Sequence, residues 1–172
     1  MTPNVYTIRK ALLVPVGTDV VLLFALLLIS FLGKSPTTER VVLVVLFVPF
    51  LYFFLEMLYR KVMISDEGMV IQKLLRRKDL LWENISHVGH LIVREKVYIL
   101  LTTVKGFQIV SNAYGSFPGL VKDILNHIEK EKIEEQLAEQ IEHPVQNMAN
   151  VISTWLAALV ILGIIITKFY PL

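Results

Sequence analysis

The sequence predicts an α+β membrane protein: three transmembrane helices and, between the second and third, a cytoplasmic antiparallel β-meander or partial barrel closed by a C-terminal amphipathic helix. Three observations carry this. Three long apolar blocks divide the chain. From Lys61 the apolar residues alternate with period two, the spacing of a half-buried strand. Near Pro118 that alternation gives way to apolar residues at helical spacing.

The 172 residues are 55% hydrophobic, above the ~45–50% of soluble domains, and the mean hydropathy is +0.61. The blocks run from Ala11 to Gly33, Val41 to Tyr59 and Val151 to Thr167. A spanning helix needs ~17–25 apolar residues to cross the hydrocarbon core. Pro49 kinks the second, as spanning helices tolerate. Pro15, Gly17 and Asp19 interrupt the first, and its helix is expected to begin near Thr18, with Leu12 to Val16 in the interface. Asp19 then sits near a helix N-terminus, where the dipole favours a carboxylate. A start at Leu12 would instead bury Asp19 near the helix middle, in need of a partner. Glu56 closes the second block and is expected to pair with Arg60, four residues on. A signal-peptide reading of the first block is set aside: the run is long, a second follows at once, and no small-residue cleavage site stands out.

The linker Lys34 to Arg40 makes the first two spans a tight hairpin. Lys and Arg near the span ends set orientation. Arg9 and Lys10 precede the first span; Arg60, Lys61, Lys73, Arg76, Arg77 and Lys78 follow the second. The expectation is a multi-pass protein of the cytoplasmic (inner) membrane, with the N-terminus and middle segment cytoplasmic and the C-terminus outside. Trp155 and Tyr170 mark the ends of the third span as interfacial aromatics, and Lys168 snorkels outward. The resulting divisions are residues 1–59 (N-terminal segment and hairpin), 60–128 (β domain with its helix), 129–146 (charged stem) and 147–172 (last span).

Between the spans, Val62 and Ile64 alternate with Met63 and Ser65, and Asp66-Glu67-Gly68 reads as a turn with Gly68 free to take positive φ. Five further strands are expected: Met69 to Leu74, Lys78 to Trp82, Ile85 to Arg94 (bent at Gly89), Val97 to Thr103 and Phe107 to Ser111. Short, evenly spaced strands indicate a meander. A helix is expected from Pro118 to His143. Leu120, Val121, Ile124, Leu125 and Ile128 form the broad face that covers the sheet. Beyond Ile128 the stripe narrows to Ile133, Leu137 and Ile141, among six glutamates with Lys130 and Lys132. This stem is expected to leave the sheet; its three apolar residues either face a partner helix or a second copy, or rest on the domain itself or on the bilayer.

The run Val62-Met63-Ile64-Ser65-Asp66-Glu67-Gly68-Met69-Val70-Ile71, followed by Leu80-Leu81-Trp82-Glu83-Asn84-Ile85, resembles the bacterial pleckstrin-homology-like domains, over about residues 60–130. A strand, an acidic-Gly turn, a strand and an apolar-Trp-x-x-Ile step are typical of that family. Its fold usually has seven strands where the residues here show six. The resemblance implies a small uncharacterised membrane protein whose domain acts as a scaffold or assembly factor.

Candidate sites are few. Lys73, Arg76, Arg77 and Lys78 form a basic turn soon after the chain leaves the second span, a candidate for anionic lipid, where each basic residue is worth ~1 kcal/mol. The bland reading is a solvated turn that enforces topology. His87 and His90 form H-x-x-H, but a spacing of three on a strand sends them to opposite faces, so no metal is expected. Cysteine is absent, which excludes thiolate metal sites, disulfides and cysteine nucleophiles. A formal charge of +2 is too small to suggest nucleic acid. No nucleophile–base set, Gly-rich phosphate loop or paired carboxylates appear, so no cofactor and no enzymatic activity are expected. The expected function is a membrane-anchored, non-enzymatic scaffold whose partners are the bilayer and a membrane protein or second copy. The alternatives are lipid sensing through the basic turn, and a small transporter or channel subunit using Asp19 and Glu56.

Overall fold

The computed structural model describes residues 3–33, 35–93, 96–104, 106–133 and 148–169. The chain divides into two compact units. One comprises Met1–Arg9 and Tyr59–Asn147, the other Lys10–Leu58 and Met148–Leu172.

The second unit holds three helices: α1 (Lys10–Leu32), α2 (Thr37–Tyr59) and, late in the chain, Ala149–Phe169. All three are long and apolar enough to cross a membrane, with mean hydropathies of 2.6, 2.6 and 2.3. α1 starts at Lys10 rather than near Thr18. Pro15 lies inside it, and Thr18 Oγ1 donates back to the Val14 carbonyl at 3.0 Å. Asp19 is therefore well inside the helix and 1% exposed. α1 buries Asp19, Leu23, Leu26 and Ser30, spaced four, three and four apart, which is one helical face. Arg40 caps the end of α1: Nε donates to the Ser30 carbonyl at 3.1 Å and Nη2 to the Gly33 carbonyl at 3.2 Å. Lys168 donates to Ser35 Oγ at 2.9 Å and to Glu39, near the α1–α2 connection. Tyr170 lies outside the described residues.

Among the described residues the first unit has seven strands, where the sequence predicts six. β1 (Asn4–Thr7), β2 (Lys61–Ile64), β3 (Gly68–Gln72) and β4 (Arg77–Leu81) form a four-stranded antiparallel sheet in that order. β5 (Ile85–Val93), β6 (Lys96–Thr103) and β7 (Gly106–Ser111) form a three-stranded antiparallel sheet. The strand missing from the sequence reading is β1, assigned there with residues 1–59 to the hairpin. It pairs with β2, Thr7 opposite Lys61 and Asn4 opposite Ile64. Residues 10–58 are thus an insertion between two neighbouring strands of one sheet. β1 also reaches the loop after β7: Ile8 bridges Tyr114, Gly115 N–H donates to the Thr7 carbonyl at 2.8 Å, and Arg9 N–H to the Ala113 carbonyl at 3.0 Å.

Local chemistry explains the turns. Gly68 does not take positive φ; Gly106 does, at +119°. Gly68 is needed for space instead, since a Cβ there would lie 2.2 Å from the Leu80 carbonyl oxygen. Ser65 closes the same turn through its N–H, 2.9 Å from the Gly68 carbonyl. In β5 the irregularity falls between Ile85 and His87 rather than at Gly89.

After β7, α3 (Phe117–Asn126) opens with Pro118 in its first turn, where no N–H is needed. It lays Phe117, Leu120, Val121 and Ile124 on a core that includes Val62, Met69, Ile99, Leu101 and Val110. Each such side chain, fully buried, contributes ~1.5–3 kcal/mol. The helix ends at Asn126, not His143. His127 caps it, its N–H donating to the Ile124 carbonyl at 3.2 Å and its Nδ1 lying 2.8 Å from the Asp123 carbonyl. Nor does the chain leave the sheet at Ile128. Ile128 is buried, a short 3-10 turn follows at Lys130–Lys132, and Ile133 bridges Val88 of β5.

Candidate functional site

The register of the four-stranded sheet sets Thr7, Lys61, Gln72 and Arg77 in one row across its end. The chain departs for α1 just after Thr7 and returns from α2 just before Lys61. The β3–β4 turn closes the other half of the row, with Lys73 N–H donating to the Arg76 carbonyl at 2.7 Å. Arg9, Arg60, Lys61, Lys73, Arg76, Arg77 and Lys78 all fall at or beside this row, though they are spread along the sequence. Arg9 Nε is buried with no hydrogen-bond partner among the described residues.

The structure splits the basic turn. Arg77 pairs with Asp79 at 3.1 Å, both side chains 62% exposed, a geometry worth ~0–1 kcal/mol. Arg76 and Lys78 are exposed. Between Lys73 and Arg76, Leu75 is 78% exposed at the turn's tip. Lys73 is half-buried and lines a cavity of about 430 Å³ together with Arg60, Ile71, Tyr98, Gln108 and Ser111, with Phe107 and Ile109 beside them. Among the described residues, no carboxylate lines it.

Arg60 is the residue that sequence reasoning misassigned. It follows the last residue of α2 and is not helical, so the i,i+4 geometry expected with Glu56 does not apply to it. Its Nε donates instead to the Tyr114 hydroxyl at 3.2 Å, and its guanidinium carbon lies 5.7 Å from the Tyr114 ring centroid. Tyr114 is 1% exposed, so a buried ring holds this guanidinium. Arginine carries five N–H donors; the two Nη groups have no hydrogen bond to a described residue. Nor does the Lys73 ammonium have one. Two cations without a counter-charge among the described residues, in a concave site, favour an anion.

The other sequence candidates do not converge. His87 is exposed and His90 partly buried on β5, and no cluster among the described residues could hold a metal. Of the stem residues, Ile133 packs on β5, while Leu137 and Ile141 lie outside the described residues. Both oxygens of Asp19 are buried without a hydrogen bond to a described residue.

A second polar arrangement joins the β2–β3 turn to the end of α3. Trp82 Nε1 donates to the Ser65 carbonyl at 2.9 Å, and its ring stacks on His127 with centroids 4.9 Å apart and planes 13° apart. The Trp of the apolar-Trp-x-x-Ile step is thus a clasp. On β1, the Tyr6 hydroxyl donates to Asp123 at 2.5 Å, and Asn4 Nδ2 donates to the same oxygen at 2.7 Å. Burial first, then the bond to Asp123 and its charge, push the Tyr6 hydroxyl up to about 12.

These features define an α+β protein with three long apolar helices, a fourth shorter helix and two antiparallel sheets. A family model matches residues 3–143, most of the chain including β1 and the hairpin, so the protein belongs to the family of unknown function DUF6585. No curated protein matches the sequence, and no solved structure does.

Proposed function

We propose that this protein is a non-enzymatic, membrane-anchored interaction module. Three spans hold a pleckstrin-homology-like domain at the cytoplasmic face of a bacterial inner membrane, where it serves as a scaffold for a membrane-protein partner or a second copy. The observation that carries the anchoring is the β1–β2 pair. Strands cannot pair across a bilayer, because each exposed backbone group would lie unsatisfied in hydrocarbon, so both ends of the inserted hairpin share one side. The bond from Lys168 to Ser35 and Glu39 supports a C-terminus on the opposite side, with the hairpin's turn. The excess of Arg and Lys beside the β1–β2 end favours the cytoplasm for that end. Seven strands in sheets of four and three, followed by a helix, support the domain reading.

The sequence has no cysteine, so single-cysteine variants report topology cleanly. In intact cells, Ser35→Cys is expected to react with a membrane-impermeant maleimide and Glu83→Cys only after permeabilisation. Reaction of both from the same side would sink the topology. Purification in mild detergent is expected to retain a partner or a second copy; a solitary monomer overturns the scaffold reading.

One observation favours a second reading, a transporter or channel subunit: Asp19 is ionisable, buried and unpaired in a helix of spanning length. Leu23 and Leu26 continue its face apolar, however. Loss of ion flux in Asp19→Asn proteoliposomes would establish it, and flux-free wild-type vesicles would dismiss it.

A further inference from the structure

We propose that the cavity holding Arg60 and Lys73 is a binding site for a phosphate group. Three independent features point there. First, the cavity brings a guanidinium and an ammonium together with the polar side chains of Tyr98, Gln108 and Ser111, and no carboxylate. Phosphate offers several acceptor oxygens and negative charge, the complement of a lining whose charged members are all cationic. Second, Arg60 is positioned before any ligand arrives. Its bond to Tyr114 and its place over that ring fix the guanidinium plane while leaving both Nη groups to meet an anion end-on, a bidentate geometry that suits phosphate. An arginine meant only to solvate a strand end would not be clasped by a buried tyrosine. Third, the volume of about 430 Å³ lies in the ~300–1,000 Å³ range of small-molecule sites and exceeds what inorganic phosphate alone would fill.

Two sources carry this chemistry, a lipid head group and free phosphate. The surroundings favour the lipid. Phe107, 62% exposed, and Ile109 put apolar surface at the same cavity. Leu75 stands exposed at the tip of the turn that supplies Lys73, flanked by cations. Apolar residues among basic ones are the composition that seats a surface in a head-group layer. Arg60 also follows directly on a helix long and apolar enough to span. The site differs from the sequence-level basic turn. It recruits Arg60, Tyr98 and Ser111 from elsewhere in the chain and leaves Arg76, Arg77 and Lys78 outside the cavity lining.

The test uses the full chain in a neutral detergent at physiological salt, so it does not depend on the helices being in a bilayer; its failure would leave the anchoring standing. Short-chain phosphatidic acid and inorganic phosphate are titrated by calorimetry into the wild type and into Lys73→Gln, Arg60→Gln and Lys122→Gln, with a melting curve for each. Lys122 is exposed on α3, away from the cavity, and loses the same charge. Lys73→Gln, at a turn, keeps the test open if Arg60→Gln fails to fold. The wild type is expected to bind, Lys73→Gln to weaken binding at least about tenfold, and Lys122→Gln to change it less than about twofold. Phosphatidic acid binding more tightly than inorganic phosphate assigns the site to lipid; equal affinities assign it to free phosphate. Binding by neither ligand, wild-type affinity in Lys73→Gln, or an equal loss in Lys122→Gln overturns the proposal.

Discussion

The two helices of the inserted hairpin have the same mean hydropathy, 2.6, yet α1 buries 28% of its spanning window and α2 only 6%. Composition does not separate them; packing does. α1 turns Leu23 and Leu26 inward and carries its polar exceptions, Asp19 and Ser30, on that same face. α2 buries Leu43 and leaves Val41, Val45, Val48, Phe50 and Phe53 outward. Hydropathy reports the solvent a helix is suited to, and the placement of polar residues reports which side meets protein. For α2 the suited solvent is hydrocarbon, since so wide an apolar surface is costly in water.

The largest effects should test this contrast. Leu26, 4% exposed, is expected to lose about 2–4 kcal/mol as Leu26→Ala, because a cavity in a packed face forfeits contacts that lipid does not restore. Val45, 65% exposed, is expected to lose less than about 0.5 kcal/mol as Val45→Ala, since the removed methyls touched the solvent. Reversible unfolding in mixed micelles measures both. Equal losses would mean that α2 is packed too, against a partner or a second copy.

Asp19 sharpens the contrast from the other side. A buried carboxylate with no hydrogen bond destabilises its surroundings, so Asp19→Leu is expected to stabilise the folded state by about 1–3 kcal/mol in the same assay. A destabilisation would show that Asp19 has a partner in the native protein, and would return it to the list of functional groups.

How much of this was legible in the sequence depended on distance along the chain. The turn at Asp66-Glu67-Gly68 and the alternation of apolar residues from Lys61 are local signals, and strands β2 to β7 fall close to where period two places them. β1 was hidden because four residues cannot show a period and their partner lies beyond two apolar helices. The start of α1 was misplaced because Pro15 reads as a breaker, whereas it lies inside a long apolar helix, of the kind that tolerates an internal proline. The basic turn was visible as a cluster, but the cavity was not: Arg60, Lys73, Tyr98 and Ser111 meet only through the register of two sheets. Arg60 was read with Glu56 because helical spacing was extended one residue past the end of α2.

The chain on either side of the hairpin is held within the β unit, and the two holds differ. Upstream of α1, Tyr6 and Asn4 hold Asp123; downstream of α2, Arg60 holds Tyr114. The first titrates at high pH. Tyr6 is raised from its ordinary value of 10.0 to about 12, so the folded state favours the protonated phenol. Its contribution is complete below pH 10 and is lost as pH rises from 10.0 toward 12. Tyr6→Phe is expected to cost about 1 kcal/mol near neutral pH and to flatten that alkaline decline. A decline of unchanged steepness in Tyr6→Phe would assign it to another group.

The smallest effect is expected at the far end of α1 and α2, where Lys168 meets Glu39 and Ser35. The pair is partly exposed, 24% and 32% by side chain, and pairs of that kind contribute about 0.2–1 kcal/mol. Lys168→Gln is expected to fall in that range, and in a micelle the loss should shrink further as salt screens the wild-type pair. What makes this weak contact informative is its place. It ties the last helix to the hairpin's turn, on the face of α1 where Ser30 is buried, and it has no counterpart on the outward face of α2. A loss several-fold above that range would show that the pair is shielded from water. The connection between α1 and α2 would then be packed like α1 rather than open like α2, and the boundary between the two would move past Glu39.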